Sequence, residues 1–144
     1  MSKTVEFYFD FGSPATFLAY TQISKIAERT GAELIWKPML LGGVFKATGN
    51  SSPVLIPAKA KWMNRDLARW AKRYGTKIGF PAGFPLNTLP LMRGAVGYKR
   101  EGEDVFLRYV DMIFKAIWQN EVDVRDQDRF AALLNENGFD PGEF

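Results

Sequence analysis

Val5-Glu6-Phe7-Tyr8-Phe9-Asp10-Phe11-Gly12-Ser13-Pro14-Ala15-Thr16-Phe17 runs from a nearly continuous apolar and aromatic segment through a tight turn into a helix start. Val5 to Phe11, broken by Glu6 and Asp10, predicts a short strand buried on both faces, as in a parallel sheet. Ser13 then offers an N-cap hydroxyl, and Pro14 suits the first helical position because its missing N–H would be unpaired there in any case. Ala19, Ile23, Ile26 and Ala27 fall on one helical face, and Gly31 is a plausible stop. Glu33 to Lys37 predicts a second strand, halted by Pro38. Residues 1–40 therefore form a strand–helix–strand unit, with parallel strands and a right-handed crossover expected.

Beyond this unit the pattern turns helical. Helices are predicted over Leu41 to Thr48, Pro57 to Tyr74, Pro90 to Lys99, Asp104 to Trp118 and Asp126 to Asn137. Gly75 to Leu89, with Gly79, Pro81, Gly83 and Pro85, reads as an irregular loop. In the second of these helices Met63, Leu67, Trp70 and Tyr74 share an apolar face, and Lys61, Arg65, Arg69 and Arg73 form a basic stripe. With Trp62 nearby this stripe invites a nucleic-acid reading. Asp66 interrupts the charge and Trp70 belongs to the apolar face, so a solvated helix face is expected instead, with no nucleic-acid partner. Two strands alone make a poor sheet, which needs three or more for independent stability. Either the pattern hides strands within this chain, or further strands come from sequence beyond Phe144 or from another subunit.

Composition narrows the chemistry. The 144 residues are one domain's worth, and 47% hydrophobic against 24% charged residues is an ordinary soluble globular balance. There is no Cys and no His. That excludes a disulfide framework, a CxxC redox pair, a Ser-His-Asp triad and a thiolate or imidazole metal centre, and no metal site is expected. The net charge of +3 is a mild excess. No apolar run approaches the ~20 residues that span a bilayer. With no secretion pattern at the start, no membrane association and a cytoplasmic location are expected.

The start of the first helix is where chemistry remains possible. A helix N-terminus presents unpaired N–H groups and partial positive charge, so it favours anions, thiolates included. A hydroxyl at Ser13 would donate a hydrogen bond to an external thiolate lying beside it. Ser13 is a poor nucleophile itself, lacking a neighbouring base. Asp10 is close in sequence, with its side chain expected to point away along the strand. Capping alone, about 1 kcal/mol, would also explain Ser13, and from the residues alone that reading leads.

Five blocks shift this balance: FYFDFGSPATFLAY (7–20), WKPMLLGGVFKATGN (36–50), IPAKAKWMNRDLARWAKRYG (56–75), FPLNTLPLMRG (84–94) and AIWQNEVDVRD (116–126). In order and spacing they resemble the 2-hydroxychromene-2-carboxylate isomerases and kappa-class glutathione transferases, within the DsbA-like thioredoxin group. Thioredoxin-like redox proteins carry their reactive thiol where this chain has Ser13. The resemblance implies an α/β fold: a thioredoxin-like βαβ start (1–40) followed by a large all-helical insertion (41–144). The C-terminal half of the thioredoxin fold, including a cis-proline loop and further glutathione contacts, is then expected to be absent.

The resemblance further implies glutathione as cofactor, with the Ser of the DFxSP turn, here Ser13, touching its thiol and acting catalytically. The Asn of the GN turn, Asn50, would also bind glutathione, though alone it reads as a turn residue after Gly49. Lys46 and Lys59 flank that turn and are candidates for substrate or glutathione carboxylates. Trp118, with Asp123 and Asp126 following, is expected to serve packing. The implied activity is a glutathione-dependent isomerisation of an aromatic 2-oxo or chromene carboxylate by a homodimer. The alternatives are a kappa-type transferase and a non-catalytic thioredoxin-like module.

Overall fold

A computed structural model describes residues 3–143. The chain forms two compact units, Met1–Ile78 and Gly79–Phe144.

In the first unit, β1 (Lys3–Phe9) and β2 (Ala32–Pro38) flank α1 (Pro14–Thr30), followed by α2 (Leu41–Thr48), a short 3-10 turn (Pro53–Leu55) and α3 (Pro57–Tyr74). The strands pair in parallel, with Phe7 opposite Trp36 and Phe9 opposite Pro38. The strand–helix–strand reading therefore holds. Its packing differs from expectation, because β1 alternates: Phe9 is buried and Val5 and Phe7 half-buried, while Thr4, Glu6 and Tyr8 are exposed. The reason is that one face of the pair carries an aromatic cluster. Trp36 meets Phe7 edge-on at 5.5 Å and Phe9 at 6.0 Å, and Tyr20 of α1 lies 6.0 Å from it. The opposite face is polar: the Tyr8 hydroxyl donates to Glu6 at 2.8 Å, and Lys37 pairs with Glu6 at 3.3 Å.

Ser13 is the N-cap of α1 and Pro14 opens it, as the sequence predicts. Gly31 ends it in the left-handed conformation, φ 65°, its N–H returning to the Ala27 and Glu28 carbonyls. The buried side of α1 is Pro14, Phe17, Leu18 and Ala27. Of the expected Ala19–Ile23–Ile26–Ala27 face, Ala27 is buried and Ile23 half-buried, while Ala19 and Ile26 are exposed and Phe17 and Leu18 are buried instead. A similar correction applies to α3, which buries Leu67 and Ala71. Trp70 is 43% exposed, out among the basic residues, with Tyr74 at 5.4 Å and the Arg73 guanidinium 6.0 Å from its ring. Aromatic and cation–π contacts with its own helix hold it there, not core burial.

In the second unit, α4 (Leu89–Glu101), α5 (Glu103–Trp118) and α6 (Gln127–Glu136) match the three predicted helices within a few residues. Alpha5 supplies most of the buried surface, from Phe106 to Trp118. Trp118 is fully buried, with Phe80 and Phe84 edge-on to it at 5.8 and 5.6 Å. The loop before α4 thus packs on the end of α5, and the Phe84–Pro85 peptide within it is cis. Tyr109, also fully buried, donates its hydroxyl to the Leu91 carbonyl at 3.0 Å and so ties α5 to α4.

Candidate functional site

The turn between β1 and α1 is built around Asp10, which is 2% exposed. One carboxylate oxygen accepts the Gly12 N–H at 2.8 Å, and the other accepts the Leu41 N–H at 2.8 Å. The Ser13 N–H closes the turn on the Asp10 carbonyl at 3.2 Å, and the Met39 N–H bonds the Phe9 carbonyl at 3.0 Å. The Asp10 side chain does not point away along the strand. It turns inward because two unpaired backbone donors, one local and one at the start of α2, need an acceptor there. Leu40, the N-cap of α2, makes no side-chain cap, so Asp10 performs that function from a distant part of the chain.

Ser13 is extended (φ −103°, ψ 114°), and its Oγ accepts the Thr16 N–H at 3.1 Å. Capping uses the oxygen as an acceptor and leaves the hydroxyl proton available. That proton is donated to none of the described residues. Pro14 has no N–H, so the Ala15 N–H is the first backbone donor of α1, and Ala15 is exposed. Ser13 and Ala15 thus each carry a donor in the first turn, at the positive end of a 17-residue helix. This arrangement fits an anionic sulfur. Capping and thiolate contact do not compete for Ser13, since they use different parts of the same hydroxyl.

Asn50 directly follows Gly49, the left-handed cap of α2 (φ 68°). Its backbone N–H bonds the Phe45 carbonyl at 3.0 Å, and its side-chain oxygen accepts the Ser51 N–H at 2.8 Å. The side-chain NH₂ donates to none of the described residues, and Asn50 is exposed. Lys46 lies in the last turn of α2 and Lys59 in the first turn of α3, both exposed. No hydrogen bond or ion pair joins any two of Ser13, Lys46, Asn50 and Lys59 among the described residues. What links two of them is Asp10, which fastens the Ser13 turn to the helix that ends before Asn50. Sequence reasoning missed this residue. A lone acid at the end of an aromatic strand gives no sign of which way it turns.

The titrations that stand furthest from normal have structural causes. Burial, then the hydrogen bond to Glu143, pushes the Tyr98 phenol up to about 12. Burial also raises Tyr109. The Arg125 side chain, gripping Asp123 at 2.7 and 2.8 Å, holds that carboxyl down at about 2. Asp126 caps α6 by accepting the Asp128 and Arg129 N–H groups, both at 3.1 Å. Each of these shifts follows from burial or from a hydrogen-bonded partner.

Comparison with known proteins places the fold in a family. The DSBA-like thioredoxin domain family matches residues 4–144. A 2-hydroxychromene-2-carboxylate isomerase of Sphingobium xenophagum is 34% identical over 143 residues, 97% of this chain and 71% of the relative. The isomerase of Pseudomonas putida is 33% identical over 144 residues, 97% and 68% respectively. Human glutathione S-transferase kappa 1 is 26% identical over 145 residues, covering 96% of this chain and 63% of that protein. The solved structure of a 2-hydroxychromene-2-carboxylate isomerase superposes with a TM-score of 0.78 at 30% identity, over 97% of this chain and 68% of that one. Among the described residues no helix is long and apolar enough to cross a membrane. The parallel strand pair, the Ser13-capped helix and the helices that follow belong to a 2-hydroxychromene-2-carboxylate isomerase-like member of the DSBA-like thioredoxin domain family.

Proposed function

We propose that this chain is a glutathione-dependent isomerase acting on an aromatic 2-oxo or chromene carboxylate, with Ser13 as the residue that holds the glutathione sulfur. The observation that carries this reading is the Ser13 hydroxyl at the positive end of α1, which accepts the Thr16 N–H and donates to none of the described residues. Bound glutathione would supply a thiolate for reversible addition to a conjugated, ring-opened form of the substrate. The C–S bond made on addition turns the double bond into a single bond that can rotate, and elimination breaks that C–S bond, restores the double bond and regenerates glutathione. Ser13 donates to the sulfur and, with the helix dipole, favours its ionised form. Asn50 offers its side-chain NH₂ to the tripeptide. Lys46 and Lys59, ion-paired with none of the described residues, are free to meet the carboxylates of glutathione or substrate.

The net reaction involves no redox change, which suits a chain without cysteine. It requires a reduced thiol, which the cytoplasm provides. The same reading takes residues 1–40 as the thioredoxin-like start and 41–144 as the helical insertion of a homodimer. A kappa-type transferase would use the same thiolate and release the conjugate instead. The higher identity to the isomerases, 34% against 26%, favours isomerisation.

The test is Ser13→Ala, assayed with glutathione and 2-hydroxychromene-2-carboxylate. Turnover should fall about 10²-fold, the usual cost of removing one donor from a developing or resident anion. Full turnover with only a lower Tm would leave Ser13 as a cap and overturn the reading.

A further inference from the structure

The geometry points to Asp10 as the positioning residue that sets Ser13 and the Asn50 segment in one frame for glutathione; this rests on the proposed glutathione reading. Asp10 is the buried link between the two parts. Its carboxylate takes one N–H from the turn that presents Ser13 and one from Leu41, the first residue of α2. Alpha2 is an eight-residue helix whose left-handed cap, Gly49, delivers the chain to Asn50. A helix of that length is a rod of about 12 Å, so fixing its first residue constrains where its far end can go. Asn50 and Ser13 thereby share an anchor without touching each other.

The requirement is specific to a carboxylate. Each oxygen faces a backbone donor at 2.8 Å, and an amide of the same shape has only one acceptor oxygen. In Asp10→Asn the NH₂ must confront either Gly12 N–H or Leu41 N–H, and one of the two ties is lost. The side chain keeps its volume and its other hydrogen bond, so the variant should still fold. Asp10 does not need to touch glutathione to act in this way. It acts through the two segments that do.

The experiment measures glutathione binding and steady-state kinetics for the native chain, Asp10→Asn, and Leu67→Ala as a control for general loss of stability. Leu67 is buried in α3 and is not one of the residues that Asp10 ties together. Asp10→Asn should raise the Kd and KM for glutathione about tenfold, the effect of losing one buried hydrogen bond to a charged group. Its kcat at saturating glutathione should stay within about twofold, since Ser13 itself is intact. Leu67→Ala should lower the Tm without moving the Kd. A folded Asp10→Asn protein with native glutathione affinity would overturn the assignment and leave the glutathione reading standing. A native chain that binds no glutathione would overturn both.

Discussion

Asp10 and Leu41 lie 31 positions apart, and the carboxylate of the first accepts the backbone N–H of the second at 2.8 Å. The bond joins the end of β1 to the start of α2, extending the strand pairing past the Met39–Phe9 bond into the helical segment. It therefore couples the parallel pair to the first helix after it. The same carboxylate also shapes the Gly12–Ser13 turn, so local turn geometry and long-range placement depend on a single side chain.

Replacing Leu41 with proline removes that N–H while asking little else of the backbone. Proline is favoured at the first helical position, and Leu40 before it is already extended at φ −101°, ψ 102°. Leu41→Ala controls for the lost side chain. Urea unfolding should show Leu41→Pro less stable than Leu41→Ala by about 1–3 kcal/mol, because one buried Asp10 oxygen loses the donor it has among the described residues. Equal stabilities would mean that the bond contributes nothing.

Capping and sulfur contact at Ser13 are separated by Ser13→Asp. Aspartate is among the best N-caps and can still accept from Thr16, so the Tm should stay within a few degrees of native. It brings negative charge and no proton to the place where the thiolate would rest. Glutathione affinity should then fall at least about tenfold below that of Ser13→Ala, reversing the order expected from stability. Calorimetry of both variants checks this. Native affinity in Ser13→Asp would place the sulfur elsewhere.

Much of this architecture was legible in the sequence, because its signals are local. Ser13-Pro14, Gly31 and Gly49 mark helix ends through backbone geometry that neighbours hardly change, and α2 and α3 begin and end where predicted. Burial was less legible. Trp70 has helical spacing with Leu67 and Tyr74, yet periodicity does not tell which residues at the border of an apolar stripe face inward. For β1 the apolar run suggested two buried faces, whereas Tyr8 finds a polar partner in Glu6 and stays exposed. Asp10 was misread for a related reason. Its second partner is an N–H in another segment, and no spacing rule connects positions 10 and 41.

Asp123 gives a prediction that depends on pH. The Arg125 side chain holds it through two short hydrogen bonds, at 2.8 and 2.7 Å, and the Arg125 N–H adds a third at 3.1 Å. All three favour the ionised form, which is why its pKa lies at about 2 against an ordinary value of 3.8. A depressed folded-state value contributes stability that is fully present above the unfolded pKa and is lost as pH falls through the folded one. Between about pH 4 and pH 2 the native chain should lose stability that Asp123→Asn does not have to lose, so their Tm values should converge. Above pH 5 the gap should be constant and small, since the pair is exposed and screened by salt. Thermal unfolding across this range, with the Asp123 carboxyl titrated by NMR, checks both statements. A gap that stays unchanged down to pH 2 would show that packing of the turn, not the ion pair, accounts for whatever Asp123 contributes.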